Sequence, residues 1–218
     1  MPLTVDILRS ALERCAARLE ETAPDLNERD GQLGDGDLGA TLMKCAANLR
    51  AALPELGTDM GQAFKICAMA CSRASGSSFG TLLAIAFLTL AKRTEKQKDV
   101  PWADLPGLLQ EALDAMSARG GAVLGDKTVL DALAAAIEAM RNLDDAQAQY
   151  AAARAAVAGA LDDFRGKPNR IGRARMFAER SVGMDDPGMI AFQYMLESLQ
   201  PERPDSPETG SHRKPATF

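Results

Sequence analysis

The chain has 218 residues and 46% hydrophobic content, enough to bury a sizeable core in one large domain or two small ones. Asp and Glu number 30 against 25 Lys and Arg, a net charge of −5 with no long run of either sign, so no nucleic-acid footprint is visible. No apolar stretch approaches the roughly 20 residues of a membrane span, and no signal-peptide pattern opens the chain, which argues against a membrane and for the cytoplasm.

Val5, Leu8, Leu12, Cys15 and Leu19 recur at three- and four-residue steps and predict an amphipathic first helix with Thr4 as N-cap. The glycine-rich stretch GQLGDGDLGATL (31–42) follows, with Asp30 just upstream, and crowds Asp30, Asp35 and Asp37 into one loop. Two like charges about 5 Å apart repel by roughly 3 kcal/mol at an effective dielectric near 20. A cation or full solvation has to relieve that. Clustered carboxylates suit a hard cation, Mg²⁺ or Ca²⁺, and the EF-hand spacing is absent. Gly39, Ala40 and Thr41 then open a second helix, Gly39–Leu53, whose bare N–H groups and dipole favour an anion. Acids followed by a helix start suit a magnesium–polyphosphate site; the competing reading is a solvated acidic turn.

A third helix is expected from Asp59 to Arg73, then the break ASGSS (74–78), then an apolar helix over Phe79–Lys92. Pro101 opens a fifth helical stretch that Gly120 and Gly121 end. The loop RGGAVLGDKT (119–128) could admit a flat ring against glycine backbone, and its Thr128 caps the helix of Leu130, Leu133, Ile137 and Met140. Residues 145–165 form an alanine-rich seventh helix. An irregular connection rich in Arg173, Arg175, Arg180, Asp185 and Asp186 precedes a last helix from Pro187 to Leu199. Eight helices, no convincing strand and short connections predict one all-α up-and-down bundle over residues 1–200. Residues 201–218 read as a disordered tail. That tail holds the only histidine, His212, which excludes phosphohistidine carriers, hydrolases with a histidine base and His-ligated zinc. Cys15, Cys45, Cys67 and Cys71 read as buried reduced thiols.

GDGDLG, ASGSSFGT, GDKTVLDAL and GRARMFAERSVGMDDPG together resemble the signatures of the nucleotide-binding L subunit (DhaL) of dihydroxyacetone kinases, in the family's order and over residues 1 to about 200. The resemblance implies an eight-helix antiparallel barrel whose loops at one end hold ADP or ATP with two Mg²⁺ ions. Carried over by position, Asp30, Asp35 and Asp37 would bind the metal pair. Leu38, Gly39, Ala40 and Thr41 would meet the phosphates, and Ala74 and Ser75 would line the same pocket. Gly120 and Val129 would flank the adenosine, Arg173 would reach the phosphates, and Asp186, Pro187 and Gly188 would close the site. With Arg173, the three aspartates form the implied catalytic set. Leu38 stands where many phosphotransferase-system members have a histidine. The implied function is that of a kinase subunit, passing phosphate to a short ketose held by a separate K-type subunit, with a phosphohistidine protein recharging bound ADP. The alternatives are an ATP-dependent subunit serving another triose or tetrose, and a non-catalytic ADP-bound regulatory module. A homodimer is left open.

Overall fold

In the computed structural model, residues 1–74 and 78–201 are described. They contain eight α-helices: α1 (Val5–Leu33), α2 (Leu38–Ala52), α3 (Met60–Ser72), α4 (Ser78–Arg93), α5 (Leu105–Gly120), α6 (Val129–Met140), α7 (Ala146–Arg165) and α8 (Pro187–Ser198). Each packs against its neighbour in sequence, and α8 returns to α1, so the helices close into a ring. That is the expected antiparallel barrel. The alternation has one consequence for function. The ends of the odd-numbered helices and the starts of the even-numbered ones, which flank the four polar motifs, lie at one end. Ser75 and the tail with His212 lie outside the described residues.

Three expectations need correction. The first helix does not stop before the acidic stretch: it runs through Pro24 to Leu33, so Asp30 stands in its last turn and only Asp35 and Asp37 are on the loop. Leu26 and Leu33, both buried, continue the apolar stripe of the first turns, and that burial carries the helix past a residue lacking an N–H. The chain is also not free of strand. Leu3–Thr4 (β1) pairs antiparallel with Asp99–Val100 (β2), a two-residue ladder too short to leave a periodic signal. Finally, Pro101 does not open the fifth helix; a 3-10 turn, Trp102–Asp104, comes first and α5 starts at Leu105.

Small residues let the helices approach closely. A Cβ on Gly39 would lie 2.0 Å from the carbonyl oxygen of Ala23, so the start of α2 is pressed directly onto the backbone of α1. The core has two parts. One gathers Leu19, Leu26, Leu38, Leu42, Phe79, Leu130, Ile137, Val157 and Met189 from most of the ring. The other gathers Leu8, Leu53, Met60, Phe64, Cys67, Cys71 and Val100 around α3 and the start of α1.

Candidate functional site

The acidic cluster is assembled by α1 rather than by the loop alone. Gly36, at φ 74, turns the chain between Asp35 and Asp37, a conformation that costs glycine little. Asp30, Asp35 and Asp37 each offer an oxygen, and these atoms all lie within 4.8 Å of one another. Hard oxygen donors at that spacing, two of them on exposed residues, fit a magnesium ion that keeps part of its water shell. The charge crowding is met within the protein by Arg173, whose guanidinium pairs with the Asp35 carboxylate. The first and fourth motifs are thereby joined.

The start of α2 differs from the bare anion site expected of it. Asp30 Oδ2 accepts the N–H groups of Asp37 (2.9 Å) and Leu38 (3.3 Å). Asn27 Oδ1 accepts that of Ala40 (3.1 Å), and Thr41 N–H bonds to the Asp37 carbonyl (2.9 Å). The extra turns of α1 bring Asn27 and Asp30, three apart on one helix face, beside this helix start. A phosphate arriving here would take over donors that Asn27 and Asp30 of α1 already satisfy at Asp37, Leu38 and Ala40. Sequence reasoning misses Asn27 because no local signal carries the first helix that far.

Above the ring the remaining motifs meet. A Cβ on Gly188 would lie 3.5 Å from Phe79 Cε2 and 3.7 Å from Val129 Cβ, so the starts of α4, α6 and α8 converge. A Cβ on Gly120 would lie 3.4 Å from Leu82 Cδ2, which puts the end of α5 against α4. Phe79, Leu82, Gly120, Val129 and Gly188 are thus gathered where these helix ends meet, with Phe79 and Val129 buried in the core. Ala74, buried, and Pro187, buried at the first turn of α8, lie at the same end. Leu38 is buried in the core cluster rather than directed at solvent.

The α5–α6 connection is held by its own carboxylates. Asp131 takes the N–H groups of Gly125 (2.6 Å) and Thr128 (2.8 Å), completing a capping box with Thr128. Asp126 takes that of Val123 (2.9 Å). In the α7–α8 connection Asp186 caps α8 through Met189 N–H (2.9 Å) and receives Asn169 Nδ2 (2.8 Å). Burial pushes the Asp186 carboxyl up to about 6. Asp185 receives Arg165 Nε at 2.9 Å. Lys127, fully buried, donates to three carbonyls beneath this connection. The sequence alone assigns Lys127 no role, because a lysine between Asp126 and Thr128 reads as surface.

A family model described as the DAK2 domain matches residues 32–201. The chain is 29% identical over 198 residues to the ADP-binding subunit DhaL of the PTS-dependent dihydroxyacetone kinase of Lactococcus lactis, covering 90% of this chain and 97% of the relative. It is 27% identical over 194 residues to the DhaL subunit of the PEP-dependent enzyme of Escherichia coli, covering 86% and 92%. A crystal structure of the dihydroxyacetone kinase from C. freundii in complex with AMP-PNP and Mg²⁺ superposes with a TM-score of 0.71 at 23% identity. The match covers 92% of this chain and 34% of that one, and it bears on the fold. Among the described residues no helix is long and apolar enough to cross a membrane.

Proposed function

This chain belongs to the DAK2 domain family, and on that premise we propose that it is the ADP-binding subunit of a phosphotransferase-system-linked dihydroxyacetone kinase. The observation that carries the reading is the juxtaposition of three carboxylate oxygens within 4.8 Å with Arg173 and the start of α2. Two free-standing DhaL subunits, each matched over nine-tenths or more of its length, support the ADP-binding, phosphotransferase-linked branch over an ATP-dependent one.

In this reading Asp30, Asp35 and Asp37 would hold two Mg²⁺ ions, which would supply the positive charge that a polyphosphate needs beside carboxylates. Arg173, paired with Asp35 here, would be the guanidinium that reaches the phosphates. The amides of Leu38–Thr41 would meet the phosphates, and Ala74 and Ser75 would line the same pocket. Gly120 and Val129 would flank the adenosine, with Asp186, Pro187 and Gly188 closing the site. Phosphoryl transfer asks little covalent chemistry of the protein and much positioning and charge neutralisation. The ketose is held by a separate K-type subunit, and a phosphohistidine protein recharges the bound nucleotide.

The test uses the purified full chain. Mass spectrometry of the denatured protein should release ADP. The chain alone should make no triose phosphate; a K-type subunit and a phosphotransferase chain should switch activity on, and Asp37→Asn should switch it off. ADP retention without activity under every partner combination would favour the regulatory-module reading instead.

A further inference from the structure

The α7–α8 connection is an excursion from Gly166 to Asp186 that carries Arg173, and its two ends are drawn together on one side chain. Lys127 Nζ donates to the carbonyls of Lys167 (2.7 Å), Ser181 (2.8 Å) and Arg165 (3.4 Å). Arg165 ends α7, and Ser181 ends the 3-10 segment that begins at Arg173. An ammonium has three donors, and here three carbonyls face them. Two of those carbonyls lie at the C-terminal end of α7, where the helix dipole favours a cation.

Further hydrogen bonds tie the same region together. Asn169 donates its N–H to Ser181 Oγ (2.8 Å) and its Nδ2 to the Lys127 carbonyl (2.9 Å). Arg170 N–H reaches the Asp126 carbonyl (3.1 Å), and Gly183 N–H reaches that of Arg165 (2.8 Å). The backbone of Lys127 sits at φ 63, which glycine or asparagine would occupy at less cost. What a lysine adds at that position is the ammonium.

We propose that Lys127 is the positioning residue of the nucleotide site: by clamping both ends of residues 165–181 it sets Arg173 opposite the acidic cluster and so confers preference for polyphosphate over monophosphate. This rests on the nucleotide reading above. Lys127 touches no substrate; it acts through Arg173.

Calorimetry with Mg–ADP and with AMP on the full chain tests it. In Lys127→Met, ADP affinity should fall about tenfold while AMP affinity changes less than about twofold, a coupling of ordinary size between linked sites. In an Arg173→Ala background the same change should add no further loss for ADP, because its route is already cut. A general loss of fold would instead weaken both nucleotides together. A wild-type measurement covers the case in which the variant does not fold. Buried Lys127 reacts only when the clamp or the fold opens, so at nucleotide concentrations that raise the melting temperature equally, Mg–ADP should slow its acylation by an amine reagent at least about fivefold more than AMP does, with exposed Lys92 unaffected. An unchanged ADP-to-AMP ratio in Lys127→Met, additive losses with Arg173→Ala, or equal acylation with both nucleotides would overturn the clamp while leaving the nucleotide reading intact. Failure of the wild type to bind Mg–ADP at all would overturn both.

Discussion

Arg173 and Asp35 meet as an ion pair at the mouth of the site, both well exposed to solvent. An exposed pair of this kind contributes about 0–1 kcal/mol to stability, so the pairing is cheap to break. A charge-assisted hydrogen bond to phosphate is worth about 1.5–3 kcal/mol, so in the proposed nucleotide site exchange of Asp35 for a polyphosphate would be favourable for Arg173. Arg173→Ala should therefore leave the melting temperature of the free protein nearly unchanged and weaken Mg–ADP by about one decade, with AMP much less affected. Calorimetry with the two nucleotides checks it, and equal losses for both would assign Arg173 to structure alone.

Glycines separate helix packing from helix propensity. Gly39 has no space for a side chain, since its Cβ would meet the Ala23 carbonyl oxygen at 2.0 Å and the Ala23 Cα at 2.9 Å. The obstacle is backbone, which has no rotamer to yield. Gly39→Ala should destabilise by about 1–3 kcal/mol, at the upper end for that reason, and should shift α2 off α1 and spread the acidic cluster. Gly159, exposed in α7, is the opposite case: a methyl group placed there would meet nothing within 4 Å. Gly159→Ala should stabilise by about 0.5–1 kcal/mol through helix propensity. Urea denaturation of both variants tests the pair. A neutral Gly39→Ala would mean that the close approach is not required.

The ring as a whole decides the behaviour of the thiols. Cys15, Cys45, Cys67 and Cys71 are all buried and reduced, as expected from their apolar surroundings. Burial pushes the Cys15 thiol up to about 11 and the Cys67 thiol to about 12. At pH 8 the thiolate fraction of such groups is on the order of one in a thousand or less, and the ring denies access as well. The hydrogen bond with Cys71 lowers the Cys45 thiol instead, so burial alone protects it; a disulfide reagent should label the four together, at the rate at which the ring opens. Mg–ADP should slow that labelling, because a ligand bound only by the folded state stabilises it by mass action. Prompt reaction of any one thiol in the native protein would show a local opening that the closed ring does not contain.

Much of this architecture was legible in the chain. Apolar periodicity located the eight helices, Gly120 and Gly121 ended α5, and Thr128 capped α6, because those signals are local and each is written within a few residues. The acidic and glycine-rich motifs stood out for the same reason, and their order carried the family resemblance. Tertiary structure decided the rest. The length of α1 depended on where Leu26 and Leu33 find a core. That length moved Asp30 into the helix and turned Asn27 and Asp30 against the start of α2. The meeting of Arg173 with Asp35, and the burial of Lys127 under the carbonyls of Lys167 and Ser181, join groups far apart in sequence. Periodicity states which face of a helix is apolar. Only closure of the ring, with its loops gathered at one end, determines which charges share that end.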